Sequence, residues 1–256
     1  MARSPDQLKW DTERLASPHT QTDKAARVRH MFDSVAPQYR RVNRWFSAGR
    51  DAAWRRKAVE LVGADADDEV LDVACGTGDL LRAFATIADP PRRLVGCDFS
   101  HGMLRRATAD GGDDGLVWIE ADALCLPLAS ESFTVASCAF GVRNFQDLDA
   151  GLGEMCRVLK VGGRIVILEF TRPRSRLFRA LYEFYAGHVM PWGAALVSGD
   201  RTGAYRYLPR SVVSFIGAAD MCARLERAGF GAVSATAVSR GIVSVCVGTK
   251  LRSTDG

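Results

Sequence analysis

The chain is 256 residues long, 47% hydrophobic and 25% charged, with 24 Gly, 9 Pro and a formal net charge of +4. Those proportions belong to a soluble globular protein and exclude disordered, collagen-like and coiled-coil chains; a chain of this length buries roughly three quarters of its unfolded surface and needs no disulfide or metal to fold. Residues 1–62 carry 13 Lys/Arg against 7 Asp/Glu, residues 63–170 carry 9 against 18, and residues 171–210 carry 7 against 2, so an acidic middle lies between two basic segments that either dock on an anionic surface or are simply solvated.

The front of the chain reads as helix. Val28, Met31, Phe32 and Val35 fall at helical spacing, Pro37 interrupts, and Trp45, Phe46, Trp54 and Val59 resume the pattern. Residues 1–62 are therefore expected to form a helical cap. Its opening MARSPDQLKW lacks the apolar stretch of a secretion signal.

From residue 63 strands and helices alternate. Glu69–Cys75, Leu94–Asp98, Leu116–Glu120, Phe133–Ala139 and Arg164–Phe170 are the expected strands. Helices are expected over Leu80–Ala88, His101–Ala109 and the Leu148, Leu152, Met155, Cys156, Leu159 series, which Val161-Gly162-Gly163 should stop. The rhythm breaks over 171–218, an Arg-laced aromatic interval read as an insertion. It resumes with a helix about Met221–Ala228 and strands near Ala232–Ala237 and Ile242–Val247. Such alternation predicts an α/β fold, a mostly parallel sheet of seven strands with helices on both faces. One domain is expected, with residues 63–256 forming its body.

Seven cysteines, at 75, 97, 125, 138, 156, 222 and 246, are odd in number and widely spaced, with no Cys-x-x-Cys. They read as buried thiols in a reducing, cytoplasmic compartment, and no metal site is expected. The longest uncharged run, 16 residues between Glu183 and Asp200, falls short of the ~20 apolar residues that span a bilayer.

The stretch Val70-Leu71-Asp72-Val73-Ala74-Cys75-Gly76-Thr77-Gly78-Asp79 carries the chemistry. A hydrophobic strand running into Gly-x-Gly and then a helix lets a ligand lie against the backbone, with helix N–H groups aimed at it. Asp98 closes the next strand 22 residues after Gly76, the interval at which an acid holds ribose hydroxyls in this kind of fold. The third glycine of a dinucleotide fingerprint is replaced by Leu81, and no P-loop Gly-Lys-Ser/Thr occurs. The turn has no basic residue for a pyrophosphate, whereas Asp72 and Asp79 put negative charge beside it. A cationic nucleoside such as S-adenosylmethionine suits it better.

Strand, Asp72, Gly76-x-Gly78 and Asp98 together look like a class I, Rossmann-like S-adenosylmethionine methyltransferase. Further segments narrow the likeness: Phe32-Asp33-Ser34-Val35-Ala36-Pro37-x-Tyr39, Ala139-Phe140-Gly141-Val142-Arg143-Asn144, Glu154-Met155-x-Arg157-Val158-Leu159-Lys160-x-Gly162-Gly163-Arg164, Leu168-Glu169-Phe170-Thr171-x-Pro173, His188-x-x-Pro191 and Tyr205-x-Tyr207-Leu208. Over about residues 30–249 the chain resembles the ubiquinone/menaquinone biosynthesis C-methyltransferase family.

The resemblance implies that Gly76, Thr77 and Gly78 wrap the methionine end of the cofactor, that Asp98 holds the ribose, and that Asp122 and Ala123 flank the adenine. Ala139 stands where the family often has Ser, removing one hydrogen bond. Arg40, Asp51 and Val161 are further departures, two of them in the cap.

The implied reaction is attack on the sulfonium methyl by a ring carbon of a reduced polyprenyl quinone precursor, demethylmenaquinol or the equivalent ubiquinol precursor. Catalytic roles fall to Arg143, stabilising a phenolate, to Asn144 beside it, and to Tyr39, closing the pocket from the cap. Two alternatives stay open: Arg143 in an ion pair with Asp147 or Asp149, and Tyr39 as a packing residue. His188 is either a proton carrier or structural. The 171–218 insertion is either a substrate lid that also meets the membrane face or a homodimer interface. No nucleic-acid module is recognisable. Rival readings are a methyltransferase on another aromatic or lipid acceptor, and a cofactor-binding subunit without turnover.

Overall fold

A computed structural model describes residues 5–111, 115–171 and 202–252. Its centre is a seven-stranded sheet in the order β3-β2-β1-β4-β5-β7-β6. The strands are β1 (Glu69–Val73), β2 (Arg93–Asp98), β3 (Val117–Glu120), β4 (Phe133–Ala139), β5 (Leu159–Phe170), β6 (Phe230–Val238) and β7 (Val243–Lys250). The first five run parallel, and β7 lies antiparallel between β5 and β6. Strand order reverses between β1 and β4, so their carboxyl ends open the crevice in which ligands bind in such sheets.

Alternation along β1 sorts its side chains onto two cores. Leu71 and Val73 join Leu152 and Met155 of α6 (Leu148–Val158) and Leu225 of α8 (Ala218–Arg227) on one face. Val70 faces Trp54 and Val59 of α3 (Asp51–Val62) and Leu81 and Phe84 of α4 (Asp79–Ala85) on the other. Each of these fully buried aliphatics contributes about 2–5 kcal/mol against truncation to Ala. Buried on both faces, the strand reads as a continuous apolar run broken by Asp72.

The cap consists of α1 (Lys24–Val35), α2 (Tyr39–Phe46) and α3. A short 3-10 turn at Ala36–Gln38 around Pro37 separates the first two. A third cluster joins the cap to α5 (His101–Gly111) and α7 (Ala204–Val213), where Trp10 stacks on Tyr207 at 4.3 Å and the Trp10 amide donates to the Thr202 carbonyl. The described end of the insertion is thus regular helix packed on the amino terminus. The rest of it, with His188, Pro191 and Trp192, lies outside the described residues.

Several expected boundaries move, β1 ending at Val73 rather than Cys75 among them. The first carboxyl-end helix stops at Ala85 rather than Ala88. Leu159, at helical spacing in the sequence, instead begins β5 and pairs with Phe133. Its ψ of 140° is extended, and the Lys160–Gly163 segment turns the chain, with Gly162 at φ +79°, before Arg164 pairs with Val135.

Candidate active site

The β1–α4 turn is built from left-handed backbone. Ala74, Gly76 and Gly78 have φ of 53°, 56° and 77°, conformations that favour glycine at two of the three positions. The turn is tied down by the Cys75 amide on Cys97 O and the Gly78 amide on Cys75 O, both at 2.9 Å. The Gly76 amide donates to Asp98 Oδ2 at 2.8 Å, and the Ser100 amide to Asp98 Oδ1 at 2.8 Å. Asp98 is therefore held rigidly at the end of β2. Burial, opposed by those two amides, pushes its carboxyl up to about 6.

Three hollows that share wall residues lie here. The first, about 650 Å³, lies over the turn and is lined by Gly76, Asp98, Asp122, Ala123, Ala139 and Asn144, with Phe99 and Met103 as apolar walls. The second, about 290 Å³, is lined by Asp72, Thr77, Asp79, Ala139 and Arg55. The third, about 1650 Å³, opens toward the cap between Trp54, Phe140, Arg143, Phe170 and Val212.

Tyr39 lines all three. Its ring lies over Gly76, where an added Cβ would come within 3.8 Å of Cε1. The ring is set edge-on to Phe32 at 5.8 Å. Burial raises the hydroxyl's pKa against a hydrogen bond with Asn43 and the nearby charge of Arg143.

The sequence-derived residues thus converge, with one distinction. Gly78 lines none of these hollows. A Cβ there would strike Trp118 at 2.2 Å, so this glycine allows the turn to close and α4 to start. Thr77 donates to Asp79 Oδ2 at 3.0 Å inside the second hollow. Asp72 accepts from Ser137 Oγ at 2.8 Å, and burial pushes it up to about 7 despite that bond.

Phe140 has φ +59°, a strained value for a non-glycine residue at the end of β4. The twist turns its ring onto Phe170, 4.6 Å away, and leads into the 3-10 turn Val142–Asn144. Arg143 is buried there. Its Nη1 donates to Phe140 O at 2.5 Å and to Glu169 Oε1 at 2.7 Å, and its guanidinium lies over Phe170. The ion pair left open with Asp147 or Asp149 is not formed; Arg143 pairs with Glu169 instead. Asp147 caps α6 through the Ala150 amide, and Asp149 pairs with Arg224.

Burial disfavours charge on both members of the Arg143–Glu169 pair, and the carboxylate more than offsets this to raise the Arg143 pKa. Asn144 Oδ1 accepts from the Tyr207 hydroxyl at 3.0 Å, so α7 braces the loop. Lys24 reaches in from α1 to donate to Phe145 O, and burial beside Arg143 lowers it to about 8. Asp33 anchors the same helix to Ser100 and Gly102. The cap is therefore a fixed wall of the site.

A model of the ubiE/COQ5 methyltransferase family matches residues 20–250. The chain belongs to that family. Relatives include the demethylmenaquinone methyltransferase of Deinococcus radiodurans, 44% identical over 230 residues that cover 89% of this chain and 94% of that one. The ubiquinone/menaquinone biosynthesis C-methyltransferase UbiE of Geobacter sulfurreducens is 41% identical, covering 90% of each. Among solved structures, a SAM-dependent methyltransferase of Thermotoga maritima superposes with TM-score 0.63 at 19% identity, covering 87% of this chain and 99% of that one. The [4+2]-cyclase SpnF superposes with TM-score 0.66 at 18% identity, covering 89% and 97%. Such distant likeness shows the Rossmann-like fold, and a cyclase among the matches shows that this fold does not fix the reaction.

For a ubiE/COQ5 methyltransferase the missed residues are Arg55, Lys24 and Glu169. Arg55 and Lys24 come from the cap and sit among other cations in sequence, with no spacing that ties them to the turn. Glu169 stood inside a quoted motif, but only the β4–β5 pairing brings it under Arg143.

Proposed function

We propose that this chain transfers the methyl group of S-adenosylmethionine to a ring carbon of a reduced polyprenyl quinone precursor. Tyr39 carries this reading: it stands in the wall common to the hollow over the β1–α4 turn, with its strand-terminal acid, and a larger, aromatic-walled hollow lined by a buried Arg. The relatives' names, demethylmenaquinone methyltransferase and UbiE C-methyltransferase, supply the acceptor class.

Asp98 takes the ribose hydroxyls, Asp122 and Ala123 border the adenine, and Gly76 and Thr77 bound the methionine end. The bound cofactor supplies an electrophilic methyl on a sulfonium. The chain's own groups do the rest. Phe140 and Phe170, packed on each other, form an apolar aromatic wall of the large hollow against which a planar ring can lie, and Arg143, clamped by Glu169 and Phe140 O, places positive charge where a ring hydroxyl ionises. With the cofactor bound, a ring carbon of the hydroquinolate would take the methyl as the S–CH3 bond breaks and S-adenosylhomocysteine leaves; the hydroxyl proton passed to water beforehand would return to the oxygen, and the ring C–H proton would leave to water as aromaticity returns. Arg143 cannot itself serve as the base, because it stays charged. Tyr39 and Asn43 border the ring from the cap.

No helix of the described residues is long and apolar enough to cross a membrane. The exposed Arg50 and Arg240 stand in the wall of the large hollow, which suits an acceptor whose tail stays in an anionic bilayer while its ring enters, with the protein peripheral to the membrane.

The test is methyl transfer followed by mass spectrometry, with labelled cofactor and each acceptor offered in detergent. Ring-methylated product is expected from demethylmenaquinol or the ubiquinol precursor and none from the oxidised quinones. Cofactor binding without transfer to either reduced acceptor would overturn the reading.

A further inference from the structure

Each residue from Arg143 to Gln146 is held by a group from outside the sheet. The Tyr207 hydroxyl donates to Asn144, and Lys24 donates to the Phe145 carbonyl. The Gln146 side chain accepts from the Ala25 amide and donates to the Gln21 carbonyl, both at 3.0 Å. The backbone of Arg143 is hydrogen-bonded to the ring of His19. Residues 19–25 thus run beside residues 143–146, and His19 is the pin at the Arg143 end.

His19 is half-buried ahead of α1, one residue before the stretch that the family model matches. Its ring is tilted against Phe215 at 5.6 Å, and Nε2 lies 3.0 Å from the Ser211 carbonyl of α7. A carbonyl only accepts, so the imidazole is the donor. Burial and the charges of Lys24 and Arg143 lower its pKa against the pull of the two backbone groups. The ring is therefore neutral at pH 7, a donor that adds no charge beside two cations. The segment that carries it is fixed further back, where the Trp10 carbonyl accepts from Arg206 at 3.2 Å and the Trp10 ring stacks on Tyr207.

We propose that His19 is a positioning residue for methyl transfer: it ties the backbone of Arg143 to α7 and so fixes where the guanidinium stands in the wall of the acceptor hollow. The proposal rests on the quinol reading above. Glu169 and the Phe140 carbonyl hold the guanidinium end of Arg143, and His19 holds its backbone end. Loss of the tie keeps the charge but lets the turn shift, and a misplacement of about 1 Å costs up to about a hundredfold in rate. His19 lines none of the three hollows, so its removal takes no contact from either ligand.

The test is steady-state methyl transfer to the reduced acceptor, with calorimetric binding of S-adenosylhomocysteine, for the wild type, His19→Leu and His19→Gln. Leu keeps bulk without a donor, and the Gln amide keeps two N–H groups that can serve both backbone acceptors. His19→Leu is expected to lower kcat about fivefold to fiftyfold, with acceptor KM and S-adenosylhomocysteine affinity within about twofold of wild type. His19→Gln should recover kcat to within about threefold. In an Arg143→Lys background His19→Leu should add less than about twofold, because both changes act through one group. An unchanged kcat in His19→Leu, a cofactor affinity that falls as far as kcat, no recovery in His19→Gln, or additive losses in the double variant would overturn the assignment. A wild type inactive on both reduced acceptors would instead overturn the reading on which it rests. If His19→Leu does not fold, His19→Ala with imidazole added to the buffer carries the comparison: recovery of turnover is expected, and no recovery would overturn it.

Discussion

Glu169→Gln isolates the charge that clamps Arg143. Both side chains are at most 5% exposed and meet through one contact, Nη1 to Oε1 at 2.7 Å, while Arg143 Nε and Glu169 Oε2 have no partner. Burial pushes the Glu169 carboxyl up, and the adjacent Arg143 guanidinium and the Phe170 amide oppose that shift. Gln preserves the shape and an oxygen for the Phe170 amide, which now donates to Oε1 at 2.8 Å, but leaves a buried guanidinium uncompensated. Breaking a buried pair in this way costs about 3–5 kcal/mol. For a chain of this size that is a fall in Tm of roughly 6–20 °C. Glu169→Gln combined with Arg143→Met removes both charges and should recover most of the loss. Thermal and urea denaturation of the four proteins closes the cycle. A Tm for Glu169→Gln within about 2 °C of wild type, or a double variant as unstable as the sum of the singles, would refute the clamp.

Three further outcomes are expected. Arg143→Lys keeps a positive charge beside Glu169 but loses the planar fork, so turnover should fall at least tenfold with cofactor affinity unchanged; unaltered kcat would remove Arg143 from the chemistry. Asp72 has its folded pKa raised to about 7, so its contribution to stability is full below pH ~4 and is lost as pH rises through about 7. Asp72→Asn without cofactor should therefore gain on the wild type by a few kcal/mol between pH 4 and 8, and urea midpoints that track in parallel would contradict this. Gly141→Ala would put a Cβ 2.6 Å from Cys138 Sγ and 2.7 Å from Ala74 Cβ. It should cost about 1–3 kcal/mol and open the wall of the nucleoside hollow, seen as weaker cofactor binding.

The sheet was legible because its signals are local. Runs such as Val70–Val73 and Ile165–Leu168 are apolar on both faces, and the Gly-x-Gly turn and Asp98 lie at a fixed separation along the chain. Leu159 was misread because an apolar residue at helical spacing after α6 carries no mark that the backbone has already become extended. Glycine spacing singled out Gly76 and Gly78 alike, and only the structure shows that Gly76 lines the hollow while a Cβ at Gly78 would meet Trp118. Arg55, Lys24 and Glu169 escaped because their roles depend on three elements meeting over the sheet. Their own sequence surroundings look like an Arg-rich helix, another helix and a buried strand.

The central claim is that the nucleoside and the acceptor ring meet at Tyr39. A structure of the protein with S-adenosylhomocysteine and a reduced acceptor tests it most directly. The adenosine is expected between Asp98 and Asp122, with the acceptor ring against the Phe140–Phe170 pair and its reacting carbon facing the cofactor sulfur beside Tyr39, a methyl's span away. An acceptor ring lodged elsewhere, or separated from the sulfur by the Tyr39 and Arg55 side chains, would contradict it.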